Sequence, residues 1–402
     1  MTSRTILLAC ELGSGQRQAD RFLPIAAGLA SAGHRITVAM PQGMPALSRI
    51  TAAGFPVIDA PVWRAEPPPG FIANSFADIL MHSGYATPDA LGGLLAGWLG
   101  LLRATSPTLV VADFAPTALL ACRMAGVPYV LLGDGFTLPP ATDPLPPMRP
   151  WADGPPPSLL GTEGRLLAAI NVALRAEGGT PLGRLCDLFA GAQDHLLCAF
   201  PELDHYQGRG EAMYFGEVFA PATGRPAIWP TGTAERAYVA VSPGLKAFRS
   251  VVAALARLGL PAIVTAPGLS ANEAAALTGP TTHVVADPPD RDATLAQCDF
   301  VIGQDIGIAA PALLASRPVL LVPHAVEQMM TLHRIAPQGL GHGLPPDATP
   351  EMADQAIRRL LDDSACRLRV ANFARHYAGY RPVLATDAIV EACLDLPSLT
   401  GS

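Results

Sequence analysis

At 402 residues the chain is long enough for two domains of ordinary size, each with its own core. Half of its residues are apolar and 15% are charged, which excludes wholesale disorder. A net charge of -7 without any basic run argues against a nucleic-acid partner, and no apolar run approaches membrane length; the longest candidate, Leu91 to Leu102, is short and glycine-rich. The chain enters a strand almost at once, without the basic and apolar regions of a signal peptide, so a cytoplasmic protein is expected. Seven scattered cysteines with no C-x-x-C pair read as reduced, buried thiols.

Taken in order, Thr5 to Ala9 predicts a strand, followed by Gly13 and Gly15, an amphipathic helix through Leu23, Pro24 and Ile25 to Leu29, and a second strand over Ile36 to Ala39. The glycine pair invites a dinucleotide-binding reading. That spacing needs glycine where Gln18 stands, however, and no acidic residue follows the second strand. Residues 55–81 are proline-rich and predict an irregular loop region. A helix around Leu91 to Arg103 leads to a strand, Leu109 to Ala112, that ends in Asp113. With the helix after it and the strand Tyr129 to Leu132, this repeats the βαβ unit. A lone Asp at a strand's end serves as a helix cap as readily as it serves catalysis. Prolines over 139–157 predict an extended surface loop. Helices around Leu166 to Arg175 and Leu182 to Phe189, then a strand near His195 to Ala199, complete a first domain over residues 1–220. Pro221, Pro226 and Pro230 mark a linker, residues 221–236.

The second domain, residues 237–380, opens on the strand Tyr238 to Val241, a loop through Ser242, Gly244 and Lys246, a helix through Arg249 to Leu258 and the strand Ala262 to Val264. The Ser242 hydroxyl, the Gly244 amide and Lys246, the only lysine in the chain, suit a pyrophosphate. A lysine in a helix's first turn is equally at home in solvent. The stretch Cys298 to Gln328 reads as strand, loop, helix, strand, loop: Phe300 to Ile302 ends at Gly303, a helical segment opens at Pro311, and Pro318 restarts a strand, Val319 to Val322. Loops at the carboxyl ends of parallel strands bind ligands, and a helix N-terminus there attracts anions, so a phosphate-bearing ligand is expected. Glu327 and Gln328 place a carboxylate beside an amide, a set that suits adjacent sugar hydroxyls. His324 and His333 have no third ligand at metal-binding spacing and read as surface or supporting histidines. Helices over 351–362 and 365–378 follow, and residues 381–402 are expected to pack back on the first domain. The alternation throughout predicts an α/β protein of two Rossmann-like doubly wound domains.

Three stretches, residues 5–38, 109–136 and 298–328, resemble the GT-B glycosyltransferases of the UGT and macrolide type. The first has Glu11-Leu12-Gly13-Ser14-Gly15, Arg21, Pro24 and Ala26. The second has Ala112-Asp113-Phe114-Ala115-Pro116-Thr117, then Gly126-Val127-Pro128 and Gly133-Asp134-Gly135-Phe136. The third has Cys298-Asp299, Gly307, Arg317-Pro318 and Glu327-Gln328. The resemblance implies two domains facing a central cleft, an acceptor bound by the first and a nucleotide sugar by the second, and inverting transfer without a metal. It implies acceptor contacts at Gly13, Ser14, Asp134 and Phe136, and donor contacts at Ser242, Gly244, Lys246, Gln304, Asp305, Gly307, Glu327 and Gln328. A base-recognition loop is implied around Val285 to Pro289.

The chain departs from that family at both signature histidines. Gln18 stands at the place of the general base, and an amide has no useful proton affinity near neutral pH, so Gln18 orients an acceptor but does not deprotonate it. Asp113, whose counterpart supports the base in the family, is left with Gln18 as the catalytic pair. Gln304-Asp305-Ile306 replaces the donor-side His and glycines, and Asp305 repels the anion that the helix end attracts.

Two functions follow. In one, a sugar moves from a UDP- or dTDP-linked donor, a co-substrate with no separate cofactor, to a small-molecule acceptor, with Asp113 as base or an acceptor acidic enough to need none. In the other, the fold survives as an auxiliary or ligand-binding partner of another enzyme. A homodimer or an assembly with a partner enzyme is open in both. A third reading, other chemistry on a phosphorylated substrate, stays open because of Gln18 and Gln304.

Overall fold

The strands called for by the apolar runs lie in two parallel sheets of a computed structural model, which describes residues 3–13, 15–65, 68, 70–152, 158–220, 224–232 and 234–396. The first sheet contains β1 (Thr5–Ala9), β2 (Arg35–Met40), β3 (Val57–Asp59), β4 (Leu109–Ala112), β5 (Tyr129–Gly133) and β6 (His195–Leu197). Its order is β3-β2-β1-β4-β5-β6. Ile6 pairs with Ile36 on one side and Leu109 on the other, and Ile6 to Ala9 are buried, as both-face burial of a central parallel strand requires. The second sheet contains β7 (Ala237–Ala240), β8 (Ala262–Thr265), β9 (Thr282–Val285), β10 (Phe300–Gly303), β11 (Val319–Leu321) and β12 (Gly341–Gly343). It is ordered β12-β11-β10-β7-β8-β9. Winding reverses between β1 and β4 in one sheet and between β7 and β10 in the other. Each reversal leaves a crevice at the strands' carboxyl ends.

Described residues up to Ala220, together with those from Arg381, form one compact unit; those between form a second. In the first unit the helix Pro382–Asp395 lies against the helix Gln16–Ser31. Gly28 permits the approach, since a Cβ there would lie 2.8 Å from Val390 Cγ2. The Arg4 guanidinium donates to the carbonyls of Cys393 and Leu396, satisfying groups that a helix end leaves unpaired. All seven cysteines are free and buried. No helix among the described residues is long and apolar enough to cross a membrane.

Residues 55–81, expected to be irregular, hold β3 and the helix Phe76–Leu80, which Ser75 caps by accepting from Asp78 N, and two further helices have other bounds than expected. The helix expected to open at Pro311 runs over Ile306–Leu314, because Asp305 caps it by accepting from Gly307 N at 2.9 Å; Pro311 sits inside and leaves one carbonyl without its intrahelical donor. The helix expected over Leu182 to Phe189 is a single tight turn, Leu185–Leu188. The Asn171 side chain holds Leu182 by both its N–H and its carbonyl and so keeps that residue extended into the turn.

Candidate functional site

In the first unit the crevice is formed by the loops after β1 and β4. Leu12 N and Glu11 N both donate to Phe114 O, at 2.9 and 3.3 Å, and Phe114 takes a left-handed backbone with φ 54°. Gln18 comes up beneath Gly13: a Cβ at Gly13 would lie 3.4 Å from Gln18 Nε2 and 3.4 Å from the Phe114 ring. Gln18 is only 4% exposed, and its Oε1 accepts no hydrogen bond. Ser14 lies outside the described residues.

One turn further along the same helix, Arg21 is 1% exposed and grips Asp113 with two bonds, Nε to Oδ2 at 2.6 Å and Nη2 to Oδ1 at 3.0 Å. Its Nη1 reaches Asp134 Oδ2 at 3.3 Å. Arg17 Nη2 holds Asp134 and Glu217, each at 3.1 Å. Burial by itself would raise the Asp134 carboxyl, but Arg21, His205 and Arg17 outweigh it and hold the group well below the usual carboxylate range. Burial raises the Asp113 carboxyl, with Arg21 opposing. Asp134 Oδ1 also accepts from Phe136 N and Thr137 N and so shapes the loop after β5. The rings of Phe76, Phe114, Phe136 and His205 follow one another at centroid separations of 6.0, 5.9 and 6.0 Å, with Phe136 half-buried.

The geometry gives Asp113 a structural partner in Arg21. Asp113 is fully buried and accepts from one guanidinium with both oxygens, which anchors Arg21. The expected partner position, Gln18, lies one helical turn before Arg21 and is not joined to Asp113 by any hydrogen bond given for the described residues.

Behind this cluster Glu11 is 3% exposed and accepts from Thr117, N to Oε2 at 2.7 Å and Oγ1 to Oε1 at 2.5 Å; the Tyr85 hydroxyl lies 2.8 Å from Thr117 Oγ1. Burial pushes the Glu11 carboxyl up to about 7 although Thr117 opposes it.

In the second unit, Gln304 spans the crevice. Its Oε1 accepts from Ser242 N at 2.5 Å and its Nε2 lies 3.0 Å from His324 Nδ1, so one buried amide ties together the loops after β7, β10 and β11. Asp305 caps its own helix through Gly307 N and thereby places a carboxylate where an anion was expected to dock. Ser242, Gly244 and Lys246 are exposed, with Ser242 Oγ accepting weakly from Gly244 N at 3.4 Å. Lys246 opens the helix Lys246–Leu258, a cation set against the positive end of the helix dipole. Gln328 Oε1 folds back to accept from His324 N at 3.0 Å and Ala325 N at 3.4 Å, which caps the helix Val326–Ile335; Glu327 is half-buried beside it.

No family model matches the chain. Over 261 residues it is 28% identical to a curated protein of Mycobacterium bovis named PGL/p-HBAD biosynthesis rhamnosyltransferase, a match that covers 60% of this chain and 57% of the relative. The chain thus spans little more than half the length of that relative. Among solved structures, the calicheamicin glycosyltransferase CalG4 superposes with a TM-score of 0.71 at 22% identity, covering 98% of this chain and 100% of its own. The spinosyn rhamnosyltransferase SpnG, complexed with thymidine diphosphate, gives 0.66 at 18% identity, covering 96% and 100%. The chain has the GT-B glycosyltransferase fold. Both Rossmann-like halves of that fold are present, with six strands each among the described residues, and the likeness extends over nearly the whole chain.

Within this GT-B frame the sequence reading missed Arg17, Glu217 and His205 as parts of the two candidate sites and read His324 only as a surface or supporting histidine. Arg17 had a usable signal: it stands four residues before Arg21 on one helix and so shares its face. Glu217 and His205 lie in irregular chain after β6, where no period links them to the strands they serve.

Proposed function

We propose that the chain transfers a sugar from a nucleoside-diphosphate donor of UDP or dTDP type, held by the second unit, to a hydroxyl of a small acceptor held by the first. The rhamnosyltransferase named among its relatives and the thymidine diphosphate bound by SpnG make dTDP-rhamnose the first donor to test. The acceptor oxygen attacks the anomeric carbon, the bond to the diphosphate breaks and configuration inverts. The observation that carries this reading is Gln18 Oε1. A buried acceptor without a donor costs about 1–3 kcal/mol, and a turn of the Gln18 side chain toward the crevice between β1 and β4, where an acceptor hydroxyl donates to it, relieves that cost.

Gln18 aligns that hydroxyl but does not take its proton. With Asp113 committed to Arg21, the acceptor must be acidic enough to release its proton to solvent, as a hydroxyl with a pKa near that of a phenol, about 10, does far more readily than an alkanol. Calorimetric titration with dTDP, UDP, GDP and their sugars tests the donor half, and absence of binding to every one would sink the reading. For the acceptor half, Gln18→His is expected to extend turnover from acidic hydroxyls to alkanols, gaining about 100-fold or more on the latter. An equal change on both acceptor types would mean that proton removal is not what limits the natural site.

A further inference from the structure

The Gln304 bridge fixes a proton on His324. Ser242 N–H lies 2.5 Å from one end of the Gln304 amide, and only an oxygen accepts there; the amide turned over would set N–H groups against each other. The NH2 end therefore faces His324 Nδ1 at 3.0 Å and donates to it. Nδ1 then carries no proton, and the neutral imidazole keeps its proton on Nε2. Gln304 is 8% exposed, whereas His324 is exposed at the carboxyl end of β11.

We infer that His324 Nε2–H is a hydrogen-bond donor to the diphosphate of the nucleotide sugar and that Gln304 is its positioning residue, an inference that rests on the second unit being the donor site. Three neighbouring strands, β11, β10 and β7, end at this bridge, which spans the point where winding reverses and where ligands of such sheets sit. Two main-chain N–H groups that would otherwise meet an anion are committed internally, Ser242 N to Gln304 and Gly307 N to Asp305. The exposed imidazole is what the bridge presents instead. A bridge serving only to hold the loops together would need an acceptor for Ser242 N; it would not need to end on an exposed histidine in one defined tautomer. A neutral N–H bonded to a phosphate oxygen is a charge-assisted contact, and the buried amide aims it before the ligand arrives.

Calorimetric titration of dTDP and UDP into the full chain and into His324→Ala, Gln304→Leu and the double variant tests this. His324→Ala is expected to weaken binding about tenfold or more, Gln304→Leu to weaken it less, and the double variant to match His324→Ala, since Gln304 acts through His324. Nitrogen-15 spectra should show His324 with a pyridine-type Nδ1 and a pyrrole-type Nε2 in the wild type, with the Nε2 signal moving when dTDP is added, and should show loss of that fixed pattern in Gln304→Leu. Unchanged affinity in His324→Ala, or additive losses in the double variant, would overturn the inference while leaving the donor site standing. A wild-type chain that binds neither nucleotide would overturn the donor reading and this inference with it.

Discussion

Glu11 and Asp134 lie in the same unit, and both are buried, yet their surroundings drive them in opposite directions. Asp134 has Arg21, His205 and Arg17 around it and stays ionised. Glu11 meets neutral donors of Thr117 and Ala118, and burial raises it from 4.5 to about 7. The folded chain therefore keeps a proton on Glu11 that the unfolded chain releases between those values. Stability contributed this way is complete below about 4.5 and is lost as pH rises through about 7. Gln reproduces the protonated form, with its carbonyl accepting from Thr117 N and its NH2 facing Thr117 Oγ1. Glu11→Gln should thus be close to neutral at pH 5 and stabilising at pH 8, by up to about 3 kcal/mol. Urea unfolding at the two pH values checks the sign; equal effects at both would mean that Glu11 is ionised throughout. At this scale the sequence was partly legible. Asp113 and Gln18 could be placed at strand and helix ends, but the side chain that would reach Asp113 could not, because Asp113 and Arg21 are 92 residues apart.

At the scale of elements, strands with an apolar run were read well and those without one were not. β1, β4, β5 and β7 were found from four or five consecutive apolar residues, whereas β3 was taken into a proline-rich loop region and β12, Gly-His-Gly, has no apolar run to mark it. The contact of the helix Pro382–Asp395 with Gln16–Ser31 turns on a single glycine. Replacing Gly28 by Ala gains helix propensity of about 1 kcal/mol, and the new Cβ would sit 2.8 Å from Val390 Cγ2. These terms oppose one another. Gly28→Ala is expected to be neutral or destabilising in the wild-type chain and stabilising by up to about 1 kcal/mol when Val390→Ala makes room. Urea midpoints of the four proteins in that cycle decide it; a destabilising Gly28→Ala in both backgrounds would mean that backbone spacing, not the Val390 side chain, sets the limit.

Across the whole molecule, the two sheets repeat one plan, and each places its polar groups at the crevice where its winding reverses. In the first unit that crevice is backed by a preformed ion cluster around Arg17 and Arg21; in the second it is closed by the hydrogen bonds of Gln304. A donor and an acceptor that bind to different units should therefore leave separate marks in hydrogen exchange. dTDP is expected to slow exchange in the loops after β7, β10 and β11 and at the start of the helix Ile306–Leu314. At a concentration 100 times Kd it should add about 2.7 kcal/mol to openings that expose the second unit. An acidic aromatic acceptor should instead slow Leu12, Gly13 and Gly15 and residues 114–115, with little effect on the second unit. The global plan was legible because a strand and helix alternation of this length admits few topologies. The chemistry at each crevice was not, because it depends on side chains from three or four separated segments. Protection by dTDP that appeared only in the first unit would reverse the assignment of the two crevices, and with it the roles of Gln18 and Gln304.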